Sequence, residues 1–181
     1  MGSYKTEGII LKRTNFGEAD RILTIYTKHF GKLKVLAKGI RKPTSKKSPS
    51  LELFNWVKIL ASRGKNLDII SECQTVRVFR AFRKDLKKIG LAFHFCELVE
   101  RLTAENVKNR QIFNLLAGSL LGLEKAWPES LAQAAKNFEQ KILEESGFWP
   151  RGKKAQGFNL ENYIEKIIEK RLKSKRIFKY G

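Results

Sequence analysis

The feature that most constrains the fold is a change of hydrophobic period near residue 80. Upstream, apolar residues form short β-branched and aromatic runs with strand-like alternation. Downstream they recur every three to four residues, as on one face of a helix. A single element cannot serve both periods. The chain is therefore expected to divide into a β half, residues 1–80, and a helical half, residues 81–181. In the first half, strands are expected over residues 5–13, 22–27, 32–38, 54–61 and 68–79, and Arg63-Gly64-Lys65-Asn66 supplies the turn between the last two. The third strand is the most informative, because alternation puts Leu33, Val35 and Ala37 on one face and Lys32, Lys34 and Lys38 on the other. Five short antiparallel strands without long intervening helices favour a small barrel.

The second half carries the stripe Leu91, Phe95, Leu98 and Leu102, then Ile112, Leu115, Leu116, Leu120 and Leu123. A third helix is expected over residues 131–146, closed by Gly147 and kept closed by Pro150. A fourth should start at the N-cap Asn159, stapled by Phe158 and Tyr163, and run through Ile164, Ile167 and Ile168 to a basic tail. The fold class is thus α+β, with a five-stranded barrel ahead of an all-helical domain.

Charge narrows the function. Lys and Arg number 37 against 18 Asp and Glu, a net charge of +19, and an excess of that size calls for an anionic partner. No phosphate-cradling glycine motif occurs, and His94 and Cys96, two apart on a helix, face away from each other. Neither histidine belongs to a catalytic signature, and Glu18 and Asp20 beside Arg21 read as a turn or an ion pair. We therefore expect no catalytic residue, metal site or cofactor, and not an enzyme. Only two cysteines are present, Cys73 and Cys96, and Cys96 lies in an apolar stripe. Such sparse usage fits a reducing, cytoplasmic setting. No apolar run is long enough to span a bilayer, and no membrane partner is expected.

What the charge does form is a track. Lys32, Lys34, Lys38, Arg41, Lys42, Lys46 and Lys47 follow one another along a strand and the proline- and serine-containing loop after it, long enough to meet several consecutive phosphates. Binding of a single strand also uses flat aromatic surfaces. Phe16, Tyr26, Phe30, Phe54 and Trp56 lie in this half, and Phe16 and Phe30, beside glycines, are expected to be the exposed ones. In the helical half, an apolar groove rimmed by Lys and Arg would suit an acidic, aromatic-tipped peptide.

The stretch from Thr6 to Lys47, with its block Gly17-Glu18-Ala19-Asp20-Arg21-Ile22-Leu23-Thr24, then Gly31-Lys32-Leu33 and Ala37-Lys38-Gly39 followed by Arg41-Lys42, resembles the bacterial DNA repair protein RecO family. The likeness continues through Leu67–Cys73 and Phe82–Leu102 to a weaker match in the closing Lys173–Phe178. It implies an OB-fold barrel followed by a helical domain. It also implies a recombination mediator in DNA repair, binding single- and double-stranded DNA and annealing complementary strands. Such a mediator works with RecR and with the acidic C-terminal tail of single-stranded DNA-binding protein to load RecA. On this basis Arg21, Lys38, Arg41 and Lys42 are expected to contact DNA, and Lys12, Arg13, Lys34, Lys46 and Lys47 join them on charge. Many members of the family carry a four-cysteine zinc module after the turn that matches Gly147-Phe148-Trp149-Pro150, but residues 151–158 hold no cysteine, so the module is expected to be missing. An RNA- or ribosome-associated OB-fold protein is the alternative with the same composition.

Overall fold

A computed structural model describes residues 2–174. Five strands, β1 (Ser3–Phe16), β2 (Asp20–Thr27), β3 (Gly31–Ala37), β4 (Trp56–Ser62) and β5 (Asp68–Arg77), close into a barrel in the order β1-β2-β3-β5-β4. Four of the five pairings are antiparallel, but β3 runs parallel to β5. This differs from the all-antiparallel set expected from the strand spacing, and the reason is geometric: alternating directions cannot close around a ring with an odd number of members.

Inward-facing side chains fill the barrel, among them Leu23, Ile25, Leu33, Val35, Val57 and Ile59. Ile9, Ile10 and Leu11 are buried in succession, which alternation alone forbids. A shift in the β1–β2 register between Ile10 and Lys12 supplies the extra residue, and beyond it the inward row of β1 passes to Arg13 and Asn15.

The connection between β3 and β4, residues 38–55, is no free loop. Ile40 and Leu51 are buried in the barrel core. The Phe54 amide donates to the Ile10 carbonyl at 2.9 Å, and the Ile10 amide to the Asn55 carbonyl at 3.2 Å. Asn55, itself buried, donates from its side chain to the carbonyls of Pro49 and Ser50.

The described residues form two compact units, one running to Val78 and including Ala104–Phe113, the other comprising Phe79–Thr103 and the residues from Asn114 on. Residues 104–109 pack against the barrel: the Asn106 amide donates to the Lys32 carbonyl at 2.9 Å, and the Tyr26 hydroxyl to the Asn109 carbonyl at 3.3 Å. Nothing in the hydrophobic period of the sequence announces this excursion.

The helices are α1 (Leu86–Leu102), α2 (Arg110–Lys125), α3 (Leu131–Glu145) and α4 (Leu160–Ile168). Each of the four helices read from the sequence corresponds to one of them. The Asp85 side chain caps α1 and that of Asn159 caps α4, where the Phe158 and Tyr163 rings meet at 5.5 Å as the staple requires. Gly147 has φ +80° just after α3. The basic tail expected after α4 and most of the closing family segment lie outside the described residues. None of the described helices is long and apolar enough to cross a membrane.

The β2–β3 turn predicts one sharp sensitivity. Gly31 has φ +68°, and a Cβ placed there would sit 2.0 Å from the Val107 carbonyl oxygen. Gly31→Ala should lower stability by at least about 2 kcal/mol, read as an earlier urea midpoint, because both the backbone conformation and the seat of residues 104–109 resist the methyl group.

Candidate nucleic-acid interface

One mouth of the barrel is cationic because the inward row of strand positions emerges there into water. Arg13 and Asn15 follow the β1 bulge, opposite Leu23 and Arg21, and Arg21 in turn stands opposite Ala37. The Arg21 Nε donates to Asn15 Oδ1 at 3.2 Å. The connection folded over this mouth adds Arg41, whose amide donates to the Ala19 carbonyl at 2.9 Å and whose Nη1 donates to the Gly17 carbonyl at 3.3 Å. The Gly39 amide donates to Asp20 Oδ1 at 2.7 Å, and the Lys42 stem lies across Gly39. The β1–β2 hairpin tip and the β3–β4 connection are thereby laced together. Arg21 of β2 and the connection enclose a cleft of about 470 Å³, lined also by Arg41, Lys42, Ser45, Ser48 and Glu52. Cations and hydroxyls in one concavity are groups that hold phosphate oxygens.

The nine cations singled out from the sequence do not form one line. Arg13, Arg21, Arg41 and Lys42 gather at the mouth. Lys12 and Lys34 flank Thr24 on the outer wall of the barrel, where Lys34 meets Glu105 in an ion pair. Lys38 and Lys46 are exposed on the connection, and Lys47 turns inward to donate to the Ile70 carbonyl at 3.2 Å. The expected cationic face of β3 is interrupted at Lys32, which is 8% exposed because residues 104–109 cover it.

Glu52 joins the site although no sequence motif places it there. It forms an ion pair with Arg13 and lies 4.0 Å from Arg21 Nη1, so it engages two of the mouth's guanidinium groups. Its signal was available: Glu52 is the only acid between Asp20 and Asp68. Among the described residues, Lys38, Arg41, Lys42 and Lys46 form no ion pair.

The aromatics divide unevenly. Phe16 is 51% exposed. Phe30, expected to join it, packs on Tyr4 with ring centroids 4.8 Å apart, because the Phe30 amide is drawn back to the Thr27 hydroxyl. Trp56 meets Phe113 edge-on at 5.5 Å, and Phe54 is buried. Tyr26 is buried too, and that burial pushes its hydroxyl up to about 12. Burial likewise raises the thiol of Cys96, in keeping with a small hydrophobe rather than a nucleophile.

The helical unit has its own concavity, of about 540 Å³, walled by Phe95, Leu123, Trp127 and Phe138 and edged by Lys125 and Lys141. Elsewhere in that unit His94 bridges Ser174, 3.0 Å from Nδ1, and Glu139, 2.9 Å from Nε2. All three are buried, and Glu97 accepts from the amides of Lys173 and Ser174. A serine, histidine and carboxylate in sequence resemble a hydrolytic triad, but this serine is 3% exposed. The arrangement holds the segment after α4 against α1 and α3.

A closed five-stranded barrel with a basic mouth, followed by a helical unit, defines an OB-fold protein built on the bipartite plan read from the sequence. Residues 1–79 match the family model described as recombination protein O N terminal, and residues 83–154 match the one described as recombination protein O C terminal. Proteins named DNA repair protein RecO are similar to it in Pelotomaculum thermopropionicum (39% identical over 150 residues, 83% of this chain and 57% of the relative) and Roseiflexus sp. (36% over 148 residues, 82% and 51%). One from Dehalococcoides mccartyi is 38% identical over 147 residues, 81% of this chain and 57% of that protein. The chain spans little more than half the length of these relatives. It belongs to the recombination protein O family, a family of DNA repair proteins.

The mouth's electrostatics yield a direct expectation. Glu52→Gln should tighten binding of a short oligonucleotide about two- to fivefold at low salt, the worth of one partly screened ion pair released for phosphate. Fluorescence anisotropy reads it, and unchanged affinity would show that Glu52 does not compete.

Proposed function

We propose that this chain is a DNA-binding recombination mediator: its barrel grips the phosphates of single- and double-stranded DNA and anneals complementary strands. The observation that carries this reading is the cleft, formed by β2 and the β3–β4 connection, in which Arg21, Arg41 and Lys42 converge. Lys38 and Lys46 extend its cationic edge, Lys12, Arg13, Lys34 and Lys47 add to the surrounding field, and family membership supports DNA as the anion. Annealing follows from charge. A net +19 neutralises phosphates on two strands at once and lowers their mutual repulsion, with no nucleotide hydrolysis required.

The second concavity supports a reading of the partners. An apolar groove edged by Lys125 and Lys141 suits an acidic peptide ending in an aromatic residue, which is the chemistry of the tail of single-stranded DNA-binding protein. With that tail held by the helices, DNA on the barrel and RecR alongside, the chain would help to place RecA on coated strands.

Two measurements test this. Paired reversal, Arg41→Glu with Lys42→Glu, should abolish annealing while the circular dichroism spectrum stays unchanged. In the unaltered protein, log affinity for a single strand should fall against log salt with a slope of about −4, as for roughly six neutralised phosphates. Retained annealing, a flat salt response, or stronger activity on RNA than on DNA oligonucleotides counts against the proposal. Separately, Lys125→Glu with Lys141→Glu should weaken an acidic, phenylalanine-tipped peptide by about tenfold while DNA binding stays within about twofold, since rim charges beside an apolar seat contribute roughly 1 kcal/mol or less each.

A further inference from the structure

The mouth's cations attract phosphate on any strand, so they give no reason to choose between single and double strands. That choice needs a group that touches unpaired bases. Exposure of one phenylalanine is ordinary; the position of Phe16 is not. It closes β1 at the hairpin tip, opposite Asp20 in the ladder, with Thr14 opposite Ile22 and Lys12 opposite Thr24. On the next strand Leu36 stands opposite Ile22, and Lys34 opposite Thr24. Cross-strand partners share a face, so the outer wall of β1, β2 and β3 carries Lys12 and Lys34, then half-buried Ile22 and Leu36, and finally the Phe16 ring. Residues 104–109 occupy the Tyr26 and Lys32 end of this wall and leave the Phe16 end open.

The tip is also held still. Gly17 takes φ +57°, its carbonyl accepts from Arg41, and Asp20 is tied to the Gly39 amide over which Lys42 lies. An exposed aromatic ring therefore stands one residue from a carbonyl gripped by a cation of the cleft. Glu18, exposed at the same tip, repels phosphates from it and leaves the ring to an uncharged base.

We infer that Phe16 is a base-stacking platform: the barrel takes an unpaired nucleobase on this ring while neighbouring phosphates lie on Arg21, Arg41 and Lys42, and it prefers single-stranded DNA for that reason. The inference rests on the reading of the barrel mouth as a DNA interface. A duplex keeps its bases stacked inside and offers the ring no face, whereas in a single strand every base has one.

The test uses the full chain, with Phe16→Ala, Phe16→Trp and the Arg41→Glu, Lys42→Glu pair, and measures anisotropy with an oligothymidine strand, an abasic strand of equal length and a duplex. Phe16→Ala should weaken the oligothymidine strand at least about fivefold with its salt slope unchanged, and leave the duplex and the abasic strand within about twofold. Phe16→Trp should retain or improve binding. Since the ring lies at an exposed tip, an unaltered melting curve confirms that the variant is folded. Wild-type affinity in Phe16→Ala, or equal losses on all three ligands, overturns the inference. If charge reversal destroys binding while Phe16→Ala does not, the stacking role alone fails. If charge reversal also leaves binding intact, the DNA interface itself is wrong and the inference falls with it.

Discussion

Everything at the barrel mouth depends on how residues 38–55 are fastened to β1. Two backbone hydrogen bonds, between Phe54 and Ile10 and between Ile10 and Asn55, extend the sheet into this connection, while Ile40 and Leu51 plug the core beneath it. Phe54 adopts φ +70°, a conformation costing about 1–3 kcal/mol, which the burial of its ring offsets. Without this fastening, Arg41, Lys42 and Lys46 would ride on a loose loop, and ordering them against any anion would cost conformational entropy. Docked as it is, the connection presents its cations already in place.

The same arrangement explains why Glu52 matters. A mouth holding Arg13, Arg21, Arg41 and Lys42 repels itself, and one carboxylate set between two of the guanidinium groups relieves the folded protein of part of that repulsion. Its position also makes it the group an incoming anion would have to displace from Arg13 and Arg21.

Much of the architecture was legible in the chain. Leu33, Val35 and Ala37 alternate inward as their spacing requires, Asn159 caps its helix, and Gly147 ends another in the left-handed conformation. These are local matters of period, capping and turn chemistry. The failures share a cause as well. Lys32 has the spacing of a surface cation yet lies under residues 104–109, more than seventy positions away. Phe30 sits beside a glycine like Phe16, but Tyr4 from the first strand covers it. The Glu52 ion pairs join residues far apart in sequence, and the Ser174–His94–Glu139 chain gathers three segments of the helical unit.

By itself the sequence determined the types of its elements and their order, the surplus of cations and the family to which it belongs, since period, composition and motif are properties of neighbouring residues. Tertiary structure alone decided which cations converge, which are neutralised or covered, and which of the aromatics expected at the barrel surface is left in water. Closing five strands brings the ends of β1, β2 and β3 together with a connection that no periodicity ties to them, and charge and stacking act through distance in space, not along the chain.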